Sequence, residues 1–165
     1  MKKNSDEIRE TLHDSSIEEI KTLAEVFGWK VKVASSQKGP DLVIENIADD
    51  KIVSVMFIES EVGHNESESA EKYFDKVSKR LKPYIDEYKN MDKKLSFSLV
   101  IITNAPRKHT KYIREHKNEL LEKIGVKLVE GLTLFIVPIL LVKEVMPAIF
   151  VRSMGAIALI APSYT

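Results

Sequence analysis

Asp41, Glu59 and Glu61 are the residues whose types and spacing could do chemistry in this chain. The two glutamates close a hydrophobic run, Lys51 to Val62, and in a strand alternate side chains share a face. Val53, Val55, Phe57, Glu59 and Glu61 therefore make one face, apolar at its start and acidic at its end. Asp41 follows Pro40 and opens a shorter run to Glu45, with Ala48-Asp49-Asp50 reading as a hairpin turn between the two. A hairpin centred near residue 50 sets Asp41 roughly opposite Glu59, so three carboxylates converge at one sheet edge. Clustered carboxylates raise one another's pKa unless a cation neutralises them, and hard oxygen ligands of this kind suit Mg²⁺ or Mn²⁺. An ion held by two acids and a backbone carbonyl can activate water and stabilise charge on a phosphate. The chemistry implied is metal-assisted phosphodiester hydrolysis.

The elements that must position these acids can be read along the chain. Ser15-Ser16-Ile17-Glu18-Glu19 reads as a helix start, with serine capping and acids in the first turn. Ile20, Leu23, Ala24 and Phe27 keep the helical period and Gly28 ends it, while residues 1–14 read as a charged, mobile segment. Trp29 to Ala34 alternates as a half-buried strand. Tyr73, Phe74, Val77, Leu81, Tyr84, Ile85 and Tyr88 mark an amphipathic helix from about Ser67 to Asn90. Leu95 to Thr103 is a strand. Asn104-Ala105-Pro106 opens a second amphipathic helix, with Tyr112, Ile113, His116, Leu120, Leu121 and Ile124 inside and Gly125 at its end. Val126 to Val129 and Leu132 to Leu141 read as further strands. The order helix, three strands, helix, strand, helix, strand implies an α/β fold with a mixed central β-sheet flanked by helices.

Length and composition bound the rest. A chain of 165 residues fits one domain, 1–165, and can bury a substantial core. Its 25 basic and 25 acidic residues balance, so a nucleic-acid surface requires local clustering of charge. Absence of cysteine excludes disulfides and thiolate metal sites. The charged Met1 to Glu10 does not read as a signal peptide, and the expectation is a cytoplasmic protein. Leu132 to Val142 and Val145 to Ala161 are strongly apolar, but Lys143, Glu144 and Arg152 interrupt them and Pro138 and Pro147 punctuate them. Two buried segments fit this pattern better than a membrane helix, which needs about 20 unbroken apolar residues. Their apolar surface exceeds what one edge of a small domain needs, which implies a homodimer.

Pro40-Asp41, an intervening strand and Glu59-x-Glu61 resemble the motif of the PD-(D/E)xK nuclease superfamily, whose fold is restriction-endonuclease-like. The stretch "SIEEIKTLAEVFGWKVKVASSQKGPDLVIE" resembles the opening of archaeal Holliday-junction resolvases, and the resemblance covers about residues 15 to 105. It implies a DNA nuclease whose metal ligands are Asp41, Glu59 and the carbonyl of Ser60, with Glu19 or its neighbour Glu18 matching a first-helix glutamate that joins the metal site in some relatives. Glu61 stands where the motif has a lysine, which normally sits by the attacking water. A minority of restriction enzymes carry glutamate there, so Glu61 would bind the metal or orient the water. Alternatively, Lys72 or Lys76 supplies the lysine from the following helix, or the site is degenerate and the protein binds a nucleic acid or protein partner without cutting.

The same residues also have plainer roles. Asp41 could cap a turn, Glu59 and Glu61 could end an exposed strand, and Glu19 could be a first-turn helix acid. His64 could be a solvated loop histidine or contact a phosphate. Lys72, Lys76, Lys79 and Arg80 lie off the apolar stripe of their helix and could track a DNA backbone. Arg107, Lys108, His109, Lys111 and Arg114 form a second basic cluster at a helix start, where free backbone N–H groups also favour phosphate. Both clusters are interleaved with acids, as solvated faces are.

Overall fold

The computed structural model describes residues 2–32, 39–61, 69–124 and 132–153. The chain runs α1 (Lys2–Val26), β1 (Lys30–Lys32), β2 (Leu42–Ala48), β3 (Lys51–Glu61), α2 (Ala70–Met91), β4 (Ser96–Thr103), α3 (Pro106–Ile124), β5 (Leu132–Pro138), a 3-10 turn (Ile139–Leu141) and α4 (Val142–Ser153). The five strands form one mixed sheet in the order β1-β2-β3-β4-β5. β1, β2 and β3 pair antiparallel, whereas β3-β4 and β4-β5 are parallel.

Handedness decides which helix covers which face. The two parallel connections step across the sheet in the same direction, so two right-handed crossovers place α2 and α3 on one side. There Phe74, Val77, Leu81 and Ile85 pack on Val43, Val55, Phe57, Leu99 and Ile101. On the other side α1 and α4 bury Ile17, Ile20, Ala24, Met146, Ile149 and Phe150 against Leu42, Ile44, Met56, Ile58, Val100 and Ile102. The fold is an α/β sheet with helices on both faces, as the element order implied.

Several boundaries differ from the sequence reading. α1 starts at Lys2, so residues 2–14 are helical and not a detached segment. No glycine or proline breaks this stretch, and the Ser16 hydroxyl bonds back to the His13 carbonyl at 2.8 Å, as a serine inside a helix does. True serine capping occurs at α2, where Ser69 accepts from the Lys72 N–H at 3.3 Å. The expected strand to Leu141 stops at Pro138, and residues 145–153 of the second apolar run belong to α4, the rest lying outside the described residues. His116, expected inside, sits at a kink in α3 with its side chain 42% exposed. The expected strand at 126–129, Gly125 and His64 lie outside what the structure describes, as do the side chains of Leu121 and Ile124.

α1 ends at Gly28, whose φ of 77° lets the Gly28 N–H reach the Glu25 carbonyl and the Trp29 N–H reach that of Ala24. Trp29 then meets Phe150 edge-on at 5.4 Å, while Phe27 stacks on the same ring at 5.4 Å. These contacts dock α4 onto the end of α1. Among the described residues, no helix is long and apolar enough to cross a membrane.

Candidate functional site

The acids lie where β2 begins and β3 ends. Leu42 pairs with Ile58, so one more residue of antiparallel register brings Asp41 beside Glu59. Asp41 Oδ2 accepts the Ser60 N–H at 2.7 Å. A strand residue's own N–H and C=O point the same way, so the Ser60 carbonyl also faces past the start of β2. Continued by two residues, the register would set Pro40 opposite Ser60, and a proline has no N–H to give that carbonyl. The Pro40-Asp41 dipeptide thus replaces a ladder bond with a carboxylate and leaves an oxygen facing it.

Glu59 and Glu61 are buried, with 1% and 3% of their surfaces exposed, so the exposed strand end is excluded. Each has its own surroundings. Glu59 Oε2 accepts from Arg80 of α2 at 3.3 Å, while Oε1 is buried without a partner among the described residues. Burial, reinforced by the negative charge of Asp41 and only partly offset by Arg80, pushes the Glu59 carboxyl up to about 8. Asp41 also draws His13 of α1, whose Nε2 lies 3.5 Å from Oδ1. Hydrogen bonding to Asp41, against the opposing effect of burial, raises His13 to about 9.

Glu61 is engaged by a different group. Its Oε2 accepts the Thr103 hydroxyl at 3.0 Å and contacts His109 Nε2, and Lys108 Nζ lies 3.8 Å from Oε1. Burial pushes Glu61 up, but the hydrogen bonds from His109 and Thr103 and the charges of His109 and Lys108 outweigh it, and the carboxyl is held below its ordinary value. The three expected carboxylates therefore have two sets of side-chain partners. Asp41 and Glu59 form a pair, and Glu61 is neutralised by β4 and α3. Tyr73 lies between the groups: its buried hydroxyl has no partner among the described residues, and burial, then Glu59, Glu61 and Asp41, raise its pKa well above the usual value.

The other sequence candidates are distributed as follows. Glu19, expected near the metal, pairs instead with Lys143 of α4 at 3.1 Å, because the face of α1 that meets the sheet carries Ile17, Ile20 and Ala24. Lys72 and Lys76 are exposed on α2, and Arg107 is exposed on α3. Arg80 of α2 reaches Glu59. His109, expected in a solvated basic cluster, is fully buried with its ring 5.0 Å from Tyr73 and 5.5 Å from Phe74. The signal was available in the sequence, since His109 precedes Tyr112 and Ile113 by three and four residues on the apolar stripe. His13 was hidden by the misplaced helix start; it precedes Ile17 by four.

The fit to a divalent ion can be judged from these donors. Asp41, Glu59 and the Ser60 carbonyl are hard oxygens, and Glu59 keeps one oxygen unpartnered. Two adjacent carboxylates, one of them pushed up by burial and by the other's charge, are what a bound cation relieves. No group of three His, Asp or Glu side chains is arranged around a metal position among the described residues. The residues present fit one ion held through two carboxylates and a carbonyl.

No protein-family model matches the chain, and no curated protein matches it. Among solved structures, restriction endonuclease FokI is similar to it with a TM-score of 0.36 and 11% identity, over 67% of this chain and 26% of that one. At that level the likeness assigns no role to any residue.

Proposed function

We propose that the protein is a divalent-metal-dependent DNA nuclease that hydrolyses phosphodiester bonds, with Mg²⁺ or Mn²⁺ as its ion. One observation carries this reading: Asp41 and Glu59 lie side by side where β2 begins and β3 ends, with Glu59 buried, pushed up to about 8 and left with an oxygen that has no partner among the described residues. The strand and helix order αβββαβαβ supports a restriction-endonuclease-like core, in keeping with the Pro40-Asp41 and Glu59-x-Glu61 motif. Asp41, Glu59 and the Ser60 carbonyl would hold the ion, which when bound supplies charge neutralisation and a more acidic water. Arg80 keeps Glu59 oriented, and the Ser60 N–H does the same for Asp41. Lys72, Lys76, Arg107 and Lys108 would meet the DNA backbone, and a two-fold dimer would present two sites to one duplex.

The test is cleavage of duplex, junction and single-stranded DNA with Mg²⁺, Mn²⁺ or EDTA, alongside calorimetry of metal binding. Wild type should bind Mn²⁺ and cut only with metal present. Asp41→Asn and Glu59→Gln should each lose about 10³-fold in rate, near 4 kcal/mol of barrier. A wild type that neither binds a divalent ion, even with DNA present, nor cuts would end this reading.

A second reading has an observation of its own. Glu61, at the lysine position of the motif, is locked by Thr103, His109 and Lys108. A site without a lysine at that position is also what a protein that binds nucleic acid or a protein partner without cutting would keep. DNA binding in EDTA with no cleavage in any metal would favour it.

A further inference from the structure

We infer that Glu61 is a positioning residue for DNA binding: its buried carboxylate holds the first turn of α3, so that Arg107 and Lys108 are set to meet the phosphate backbone. The inference rests on the backbone contacts proposed above for those two cations.

The first turn of α3 lacks the charge that a helix start favours. It carries no acid, and Arg107 and Lys108 stand where the positive end of the helix dipole opposes them. Glu61 supplies the missing negative charge from another element. β3 and β4 run parallel with Glu61 opposite Thr103, so the carboxylate lies at the strand end from which α3 departs. The Thr103 hydroxyl donates to Glu61 Oε2 at 3.0 Å and accepts the Ala105 N–H at 2.9 Å. Oε2 also contacts His109 Nε2, and Lys108 Nζ lies 3.8 Å from Oε1. One carboxylate thus ties the last residue of β4 to two successive residues of α3. An ammonium has donors and no acceptor, so a lysine at position 61 could not make this tie. That accounts for an acid where the motif has a lysine.

The tie leaves the cations within reach of DNA. The Glu61 side chain is 4% exposed, and His109 is fully buried, its ring against Tyr73 and Phe74. The Lys108 side chain is 30% exposed, and Arg107 is exposed. A first turn already fixed in place spares the ordering cost that a loose one incurs on meeting phosphate.

Glu61→Gln keeps the shape of the side chain but leaves one acceptor oxygen, and its amide nitrogen faces a donor. It also removes a negative charge beside the DNA path, which by itself tightens binding, so weaker binding reports the tie. Binding of a fluorescein-labelled DNA duplex is followed by anisotropy in EDTA, from about 50 to 200 mM salt. Each phosphate contact steepens the plot of log K against log salt by about 0.9. Lys108→Met should flatten that slope by about 0.9, and Glu61→Gln by about 1–2 with weaker binding. The double variant should be no flatter than Glu61→Gln alone, because Glu61 acts through the cations it positions. Lys93→Met, on the turn after α2, loses the same charge and should keep the wild-type slope. Thr103→Val removes the hydroxyl link alone and should also flatten the slope, which carries the test should Glu61→Gln not fold. A Glu61→Gln protein that binds as tightly as wild type, or more tightly, overturns the inference. So does a double variant whose loss is the sum of the single losses. A wild type that binds no duplex removes the proposed backbone contacts, and the inference with them. The nuclease reading fails separately, by absent cleavage with metal.

Discussion

Glu59 concentrates the electrostatic strain of the site in one side chain, and that strain has a pH signature. Its carboxyl stands at about 8 in the fold against 4.5 ordinarily, chiefly from burial and then from Asp41. The folded state therefore binds the Glu59 proton more tightly than the unfolded state. Stability from this group is fully present below pH 4.5 and is lost as pH rises towards 8. His13, raised from 6.5 to about 9 by Asp41, acts in the same direction at higher pH. Glu61, held low, acts oppositely and only on acidification, so the window from pH 5 to 6.5 belongs mainly to Glu59 and His13 joins it above that. In denaturant titrations without metal, wild type should lose roughly a few kcal/mol across that window, and Glu59→Gln should flatten the loss. Equal slopes for both proteins would show that Glu59 is ionised throughout. At this scale the sequence was half legible. Asp41 and Glu59 could be paired by counting along a hairpin, but Arg80, His13 and His109 reach the acids from helices, where a shift of one residue turns a side chain by 100° or so. Hydrophobic periodicity does not fix helix rotation that finely.

The β2-β3 hairpin is the element that makes the pair. Its turn is Asp49-Asp50, both at positive φ, 52° and 61°, the conformation of a two-residue turn whose twist matches the strands it joins. Ala48 faces Lys51 and Ile47 faces Ile52, but Asn46 faces Ser54, so Val53 is an extra residue in β3. Without that bulge the register would set Asp41 opposite Ile58, and its carboxylate would lie one residue from its partner. Alternation alone could not reveal the bulge, because Ile52, Val53 and Val55 are all apolar; only the cross-strand pairing exposes it. The turn itself was legible, and so is its cost. An L-residue at positive φ is strained, and two adjacent aspartates also repel. Asp50→Gly should raise stability by roughly 0.5–1 kcal/mol, read as a higher denaturant midpoint at unchanged slope. Gly28→Ala is the converse case: nothing lies within 4 Å of the added methyl, so its expected cost of about 1 kcal/mol comes from φ alone.

Across the whole molecule, the two ends of the described chain cover one face of the sheet together. α4 buries Val142, Met146, Ile149 and Phe150, so much of the apolar surface that implied a dimer has an intramolecular partner. Leu140, 87% exposed, and Leu141, 45% exposed, remain for a partner in the proposed homodimer. Phe150 is the joint: fully buried, stacked on Phe27 and edge-on to Trp29, it ties α4 to the end of the helix that brings His13 to Asp41. Truncating it leaves a cavity between α1, α4 and the sheet, and Phe150→Ala should cost about 3–5 kcal/mol. The loss should not stay in α4. Amide exchange should quicken in α1 around Ile17, Ile20 and Ala24 as well, while α2 and α3, packed on the opposite face, keep their protection. Phe150→Leu should recover part of the stability and of the α1 protection, since it refills some of the volume. Faster exchange confined to α4 would mean that the two terminal helices fold independently, and that nothing done to α4 reaches the acids through α1.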